Sequence, residues 1–384
     1  MASISEYNYL LPKNNLALEP AVPRDSSKLF IYDTAVDKIV FDHFYNIDKY
    51  LPKDSFMVLN NTKVLPARVV MKKQSGGKVV ILLLINEIVG NMFPIIVDRR
   101  ITVGEKIYFN ENDYLDVIHQ KENIFEVRFN FSKEYLFDLL RKYGAMPIPP
   151  YLKKSTLTRD ELLEKYQTII AKTDGSAAAP TASLHFTDSV FNKLSKKGIE
   201  RLFVTLHVGM GTFAPINEEN VKKKKLHNEF YEIDRNTWKQ IEINRNKEKK
   251  LVAVGTTVVR TLESIAKKLK IKNEELRIFE GREKRNFFTF ERGPKGERLS
   301  CDKNYVSEPN KILGKTDLFI FPPYDFRIVD VMITNFHLPK SSLMMLVEAF
   351  LQHKKAKRHL EDLYNIAIKN NFRFYSFGDA MVII

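Results

Sequence analysis

The chain has 384 residues, of which 44% are hydrophobic and 28% are charged; these values exclude a disordered chain and leave room for two domains. Its 61 Lys and Arg outnumber its 47 Asp and Glu, and the resulting formal charge of +14 favours a polyanionic partner, with tRNA ahead of DNA or an anionic membrane. The one cysteine, Cys301, excludes an intrachain disulfide and a Cys-based zinc site.

The sequence predicts a soluble cytoplasmic protein. Residues 1–10 lack a basic region followed by an apolar stretch, so we expect no signal peptide. No apolar run approaches the roughly 18 residues that cross a bilayer, so we expect no contact with a membrane. We also expect a monomer. The positive charge also has a second interpretation, in which it indicates no particular partner, because a Lys-rich genome raises the charge of every protein that it encodes.

Short β-rich runs fill the chain from about residue 78 to residue 131, with no helix between them. Asn91, Gly104 and the polar stretch 110–113 supply turn residues. Several short strands in succession predict a small barrel or sandwich. The predicted strands are 79–85, 93–97, 106–109, 114–118 and 124–129.

A helix over 133–143 follows, which Ser132 is placed to cap and Gly144 to end. The stretch 146–151 reads Met-Pro-Ile-Pro-Pro-Tyr and predicts an extended linker, because each proline disfavours helix in the residue before it.

Beyond residue 150 helices and strands alternate. Thr158 and Glu161 have the spacing of a capping box, and Thr187 is placed to cap a later helix. Alternation of this kind indicates an α/β layer with a mainly parallel or mixed sheet, which the apolar segment 56–59 is placed to join. The predicted helices are 159–171, 188–198, 258–268, 341–351 and 360–369; the predicted strands are 199–208, 251–254, 318–321 and 328–334.

The β-rich segment and the alternating helices and strands predict an α/β layered main domain, formed by residues 1–65 and 150–384, with a small β-barrel domain inserted at 66–149. Two basic features remain open. The run from Lys222 to Lys225 is either a solvated surface or an RNA contact. The polar, basic segment 267–314 is either a surface insertion or an RNA-contacting arm.

Four segments combine small residues, hydroxyls and, in most cases, a histidine at predicted strand ends, where ligands bind in α/β folds. In the first, 175–186, five small residues precede Pro180 and allow close approach of the backbone to a ligand. Thr181, Ser183 and His185 are candidates to bind a ribose or an adenine edge. The alternative is a tight packing turn with a core histidine.

The second segment, 205–213, runs from a strand into the turn Gly209-Met-Gly211, whose amides could bind an anion. His207 stands at the strand end as a candidate acid or base. The segment lacks the third glycine and the helix of the dinucleotide fingerprint, so we expect no NAD.

The third segment, 255–264, places Thr256 and Thr257 at a predicted helix N-terminus, which favours an anion. Arg260, one turn later, is a candidate to bind a phosphate or a carboxylate, or else to form a salt bridge with Glu263 or a neighbouring helix. A Walker lysine is absent, which argues against a nucleoside triphosphate.

The fourth segment, 334–339, places Asn335 and His337 to face a pocket. As in the other segments, a structural role for each residue is the alternative. The histidines fall in separate segments without a helical His-x-x-x-His pair, so we expect no metal.

Nine motifs occur along the chain: 60–68, 146–151, 166–168, 178–186 (Ala-Ala-Pro-Thr-Ala-Ser-Leu-His-Phe), 205–213, His227 with Glu229, 255–264, 334–339 and 373–381. No single motif is specific, but the whole set in this order resembles the S-adenosylmethionine:tRNA ribosyltransferase-isomerase family of queuosine biosynthesis. The sequence departs from the usual family residues at Ser183, Asn228 and Pro323.

The resemblance implies an α/β domain with an inserted β-barrel and a defined reaction. The ribosyl part of S-adenosylmethionine would be transferred to 7-aminomethyl-7-deazaguanine at the wobble position of tRNA and isomerised, giving epoxyqueuosine, adenine and methionine. The expected acid–base residues are His185, His207 and His337, with Asp379 as an orienting carboxylate and Arg260 as an anion ligand.

Two alternatives differ in class. A tRNA-binding protein without enzymatic activity would share the charge and the fold. An ordinary methyltransferase would need a glycine-rich loop after the first strand and an acidic residue about 20 positions later, and the sequence contains neither.

Overall fold

The computed structural model describes residues 7–85, 88, 91–209, 218–268 and 310–384. These residues form a nine-stranded mixed sheet, a closed six-stranded barrel and a two-stranded pair. The predicted fold class, an α/β layered body with an inserted small β-barrel, is therefore confirmed. The exact domain boundaries, 1–65 with 150–384 and 66–149, stay a prediction.

The main sheet has the strand order β15-β13-β12-β3-β14-β16-β17-β1-β2. Its centre is parallel, because β12, β3, β14 and β16 run in one direction. The outer pairs are antiparallel except for the parallel pair of β17 with β1. The two central strands, Ser55–Asn60 and Lys250–Val254, are almost wholly buried, as expected when both faces of a sheet are covered. The strands are β1 Lys28–Asp33, β2 Lys38–His43, β3 Ser55–Asn60, β12 Glu200–His207, β13 Lys225–Asp234, β14 Lys250–Val254, β15 Lys311–Leu318, β16 Val331–Asn335 and β17 Ala380–Ile383.

Helices cover both faces of this sheet. The larger core contains apolar residues of α5 to α8, and the smaller core contains those of α3 and of the short 3₁₀ segment Phe44–Lys49. The helices described are α1 Lys133–Tyr143, α2 Arg159–Lys165, α3 Asp188–Lys196, α4 Glu218–Lys223, α5 Arg235–Asn246, α6 Thr256–Lys268, α7 Ser342–His353 and α8 Leu360–Lys369. This arrangement leaves the carboxyl ends of the parallel strands open at one edge of the sheet, which is where ligands bind in such folds.

The barrel closes in the order β10-β7-β6-β5-β8-β9, with antiparallel pairing throughout. Alternate residues point inward to a core that Leu136 and Leu140 of α1 complete at one end. β5, which closes the barrel, was not predicted. The strands are β5 Arg68–Lys73, β6 Lys78–Leu83, β7 Phe93–Val97, β8 Lys106–Tyr108, β9 Tyr114–Lys121 and β10 Ile124–Phe129.

Two predicted elements are wrong. The helix expected over 159–171 ends at Lys165, because the next residues bond to another segment: the Gln167 side chain pairs with both backbone groups of Val64. Thr173–Ser176 then forms β11, parallel to β4, Thr62–Val64.

The strand expected over 318–321 is likewise misplaced. The ladder runs over Lys311–Leu318 against β13, and the apolar residues Phe319 and Ile320 are buried in the main core outside it. Their hydrophobicity therefore reflects core packing and not strand pairing.

Candidate functional site

A cleft opens at the carboxyl edge of β14 and β16 and encloses about 760 Å³ of atom-free space, including its mouth. Its walls come from segments far apart in sequence: 178–182, 255–257 and 334–338, together with aromatic side chains. Three of the four segments singled out from the sequence therefore meet here. The second contributes only Val208 among the described residues.

The small residues of the first segment form one wall. Ala178, Ala179 and Ala182 are buried, and Gly255 lies in van der Waals range of Ala182 with φ +90°, a backbone conformation that favours glycine. Small side chains here let the two backbones approach each other closely and leave room for a ligand. Thr181 lines the cleft.

An aromatic wall was not predicted. Tyr151, Tyr166, Phe336 and Tyr375 line the cleft, and the hydroxyl oxygen of Tyr151 lies 2.5 Å from that of Ser376. All four residues lie in motifs quoted above, but no local periodicity indicates which way their rings point. Such a wall suits a flat, apolar ligand group.

His337 is the predicted acid–base histidine that lines the cleft. Its Nε2 lies 2.7 Å from Oγ1 of Thr334, and the hydroxyl of Tyr9 donates a hydrogen bond of 2.5 Å to its carbonyl oxygen. Burial lowers the pKa of His337 to about 3. Its imidazole is therefore neutral near pH 7 and is a proton acceptor or a hydrogen-bond donor, not a charged acid.

His185 lies behind the cleft wall and is 4% exposed. Its Nδ1 lies 2.9 Å from Oγ of Ser27, and its Nε2 lies 3.2 Å from the amide nitrogen of Asn335, which does line the cleft. Burial lowers the pKa of His185 to about 3, and the nearby Arg373 and Arg24 act in the same direction.

His207 is not part of the cleft wall. Its Nδ1 lies 2.8 Å from Oγ1 of Thr62, and Gly175 packs against its ring so closely that an added Cβ would lie 2.9 Å from Cε1. Burial lowers its pKa to about 4, although Asp174 opposes the shift. Its contacts within the described part of the chain are those of a packed, neutral histidine.

Arg260 forms a buried ion pair with Glu229 of β13, and its Nε donates to the carbonyl oxygen of Leu318 at 3.1 Å. The partner is neither of those proposed from the sequence. The same carboxylate accepts a 3.2 Å hydrogen bond from the backbone N–H of Gly209. Gly211 lies outside the described residues.

Asp379 is 1% exposed and accepts hydrogen bonds from the backbone N–H groups of Lys28, at 3.0 Å, and Arg373, at 2.7 Å. It joins β1 to the segment before β17. Burial raises the pKa of its carboxyl group, against the opposing effect of Arg373.

The cleft thus brings together five of the candidate site residues and leaves the others out. Glu263, the partner first considered for Arg260, instead accepts hydrogen bonds from the backbone of Arg327 and Ile328. The candidates in the cleft wall are Thr181, Thr256, Thr257, Asn335 and His337; those outside it are Ser183, His185, His207, Gly209, Arg260 and Asp379.

The described residues contain neither a metal-ligand cluster nor a membrane-spanning helix. No group of three or more His, Cys, Asp or Glu among them is arranged to hold a metal ion. No helix in the same ranges has the length and hydrophobicity that crossing a membrane requires.

Known proteins match the chain from end to end. The family model described as "Queuosine biosynthesis protein" matches residues 4–383. S-adenosylmethionine:tRNA ribosyltransferase-isomerases from Thermoanaerobacter sp. (strain X514) and Thermosipho melanesiensis are 37% and 38% identical, over 99% of both chains in each case. The crystal structure of S-adenosylmethionine tRNA ribosyltransferase from Thermotoga maritima is 29% identical, with a TM-score of 0.49, over 99% of this chain and 100% of that chain.

An α/β body with a cleft at its strand ends, matched by this family model, defines a tRNA-modifying transferase of queuosine biosynthesis. The chain belongs to the S-adenosylmethionine:tRNA ribosyltransferase-isomerase family.

Proposed function

We propose that the protein transfers the ribosyl part of S-adenosylmethionine to 7-aminomethyl-7-deazaguanine at the tRNA wobble position and isomerises it, forming epoxyqueuosine and releasing adenine and methionine. The observation that carries the proposal is the match to curated relatives over 99% of both chains. The cleft supports it, because threonine, asparagine and histidine side chains converge there beside an aromatic wall.

S-adenosylmethionine binds in this cleft in our proposal. The aromatic wall and the alanines of 178–182 suit the adenine ring, and hydroxyls of Thr181, Thr256 and Thr257 suit its polar groups. Thr256 begins α6, so the N-terminus of this helix favours the methionine carboxylate.

The chemistry that we propose begins with loss of a proton from the 5′ carbon, which the adjacent sulfonium acidifies. Ring opening expels adenine, the acceptor amine adds, and an alkoxide closes the epoxide as methionine leaves. His337 is the candidate base of this scheme, because it lines the cleft as a neutral imidazole. A positioned base contributes roughly 10²–10⁴-fold to the rate.

The tRNA binds through basic side chains in this proposal. All four lysines of the run Lys222 to Lys225 are exposed, which is consistent with a phosphate contact. Lys225 also forms an ion pair with Asp317, with Nζ 2.9 Å from Oδ2. The cytoplasmic location and the monomeric state stay predictions.

One assay tests the reaction. The protein is incubated with labelled S-adenosylmethionine and precursor tRNA, and the small products are separated. We expect adenine and methionine in equal amounts. S-adenosylhomocysteine would instead indicate methyl transfer, and the absence of any product would favour a tRNA-binding protein.

A variant tests the role of His337. We expect His337→Ala to lower turnover at least a hundredfold, while His119→Ala on the barrel surface, a matched control, leaves it unchanged. Full turnover by a folded His337→Ala protein would remove His337 from the mechanism.

A further inference from the structure

The orientation of the Asn335 side chain is set by the fold. Its amide nitrogen lies 3.3 Å from the carbonyl oxygen of Tyr375 and 3.2 Å from Nε2 of His185. A carbonyl oxygen only accepts hydrogen bonds, so the atom that faces Tyr375 must be the NH₂ group. Both amide hydrogens therefore donate to protein atoms.

The other end of the amide has no such partner. Oδ1 of Asn335 is buried and makes no hydrogen bond within the described residues, although the side chain is only 2% exposed and forms part of the cleft wall. Proteins pair the large majority of their buried polar atoms. A ligand in the cleft is therefore the fitting partner, and it must supply an N–H or O–H group, since an amide oxygen only accepts.

His185 fixes this arrangement from behind. Because its Nε2 accepts a hydrogen bond from Asn335, the ring proton is on Nδ1, which donates to Oγ of Ser27 at 2.9 Å. Both ring nitrogens are thus engaged, and the ring does not line the cleft. An imidazole held in this way is poorly placed to exchange a proton with a substrate.

We infer that Asn335 accepts a hydrogen bond from a donor group of bound S-adenosylmethionine, and that His185 and Ser27 are positioning residues that orient its amide. The inference rests on the proposed function for the identity of the ligand. It gives His185 a different role from the acid or base expected from the sequence. The available donors are the adenine amino group, the ribose hydroxyls and the α-ammonium group.

Binding of S-adenosylhomocysteine, which carries all three kinds of donor but does not react, tests the role of Asn335. We expect Asn335→Ala to weaken its binding about tenfold by titration calorimetry, the effect of losing one hydrogen bond to an uncharged acceptor. The same titration with 5′-methylthioadenosine locates the donor: a loss for both compounds places it on the nucleoside, and a loss for S-adenosylhomocysteine alone places it on the ammonium group. Unchanged affinity for both compounds would overturn the inference.

A conservative variant separates positioning from proton transfer. In His185→Gln the side-chain oxygen can accept from the Asn335 amide in place of Nε2, so we expect affinity and kcat within about threefold of wild type and an unaltered pH profile. His185→Ala should weaken S-adenosylhomocysteine binding about fivefold. A folded His185→Gln protein with normal affinity but a kcat reduced a hundredfold would show that His185 takes part in proton transfer.

The variant Ser27→Ala tests the same positioning role if His185→Ala does not fold. It removes the acceptor of the Nδ1 proton, and we expect weaker S-adenosylhomocysteine binding with an unaltered pH profile of kcat. Unaltered binding would overturn the positioning role of Ser27. Two measurements on the wild-type protein separate this inference from the proposed function. If the protein binds S-adenosylhomocysteine but releases no adenine from S-adenosylmethionine, only the proposed reaction is refuted. If it does not bind S-adenosylhomocysteine, the inference is refuted.

Discussion

The buried ion pair between Arg260 and Glu229 gives the sharpest test of how this fold is held together. The two side chains are 6% and 3% exposed and join α6 to β13, a strand of the main sheet. Replacing Arg260 by Met keeps an unbranched stem and removes the charged guanidinium group. The carboxylate of Glu229 then loses its ion pair with Arg260 and stays buried.

The expected cost follows from this burial. Removing one partner of a buried pair costs about 3–5 kcal/mol, because the remaining charge keeps its desolvation penalty. A loss of about 4 kcal/mol lowers the ratio of folded to unfolded protein roughly a thousandfold. In the double variant Arg260→Met with Glu229→Gln no charge remains, and the glutamine oxygen can still accept from Gly209, so we expect most of the loss to be recovered.

The assay is urea unfolding followed by the fluorescence of Trp238, the single tryptophan, which is buried in the same core as α6. The matched control is Arg141→Met, since Arg141 is 49% exposed and its pairs with Asp138 and Asp174 should contribute under about 1 kcal/mol. Equal unfolding midpoints for Arg260→Met and Arg141→Met would refute the reasoning. If Arg260 instead bound the methionine carboxylate, its replacement would weaken donor binding and leave the midpoint unchanged.

Three further predictions concern the barrel junction, acid stability and RNA binding. Gly144→Ala should lower the melting temperature, because its Cβ would lie 1.9 Å from a backbone oxygen, whereas Gly77→Ala, with no atom nearer than 3.8 Å, should not; equal melting temperatures would contradict this. Burial lowers the pKa of His337 to about 3 in the folded protein, whereas in the unfolded chain the imidazole is protonated below about pH 6.5. The contribution of His337 to the free energy of unfolding is therefore complete above about pH 6.5 and is lost as the pH falls toward 3, with a slope of up to about 1.4 kcal/mol per pH unit. In His337→Gln, the free energy of unfolding measured with urea should depend less on pH over that range. An unaltered slope would contradict the burial argument. Lys222→Glu with Lys223→Glu should weaken tRNA binding in a mobility-shift assay and reduce its salt dependence; unchanged binding would return these lysines to a solvated surface.

Features that depend on residues near one another in the chain could be predicted from the sequence. Ser132, Thr158 and Thr187 cap their helices as predicted, because a cap bonds to an amide three residues along the chain. The alternation of strands and helices gave the α/β class, and the ordered set of motifs gave the family.

Features that depend on partners distant in the chain could be read only from the folded protein. The end of α2 at Lys165 depends on bonds from Gln167 to Val64, and β1 forms its parallel pair with β17, which lies at the other end of the chain. Contacts between distant segments likewise decide that His337, and not His185 or His207, lines the cleft. The sequence does not distinguish one histidine from another in this respect. Packing decides which side chain lines a cleft and which is buried behind its wall, because burial and hydrogen bonding depend on residues that are far apart in the chain.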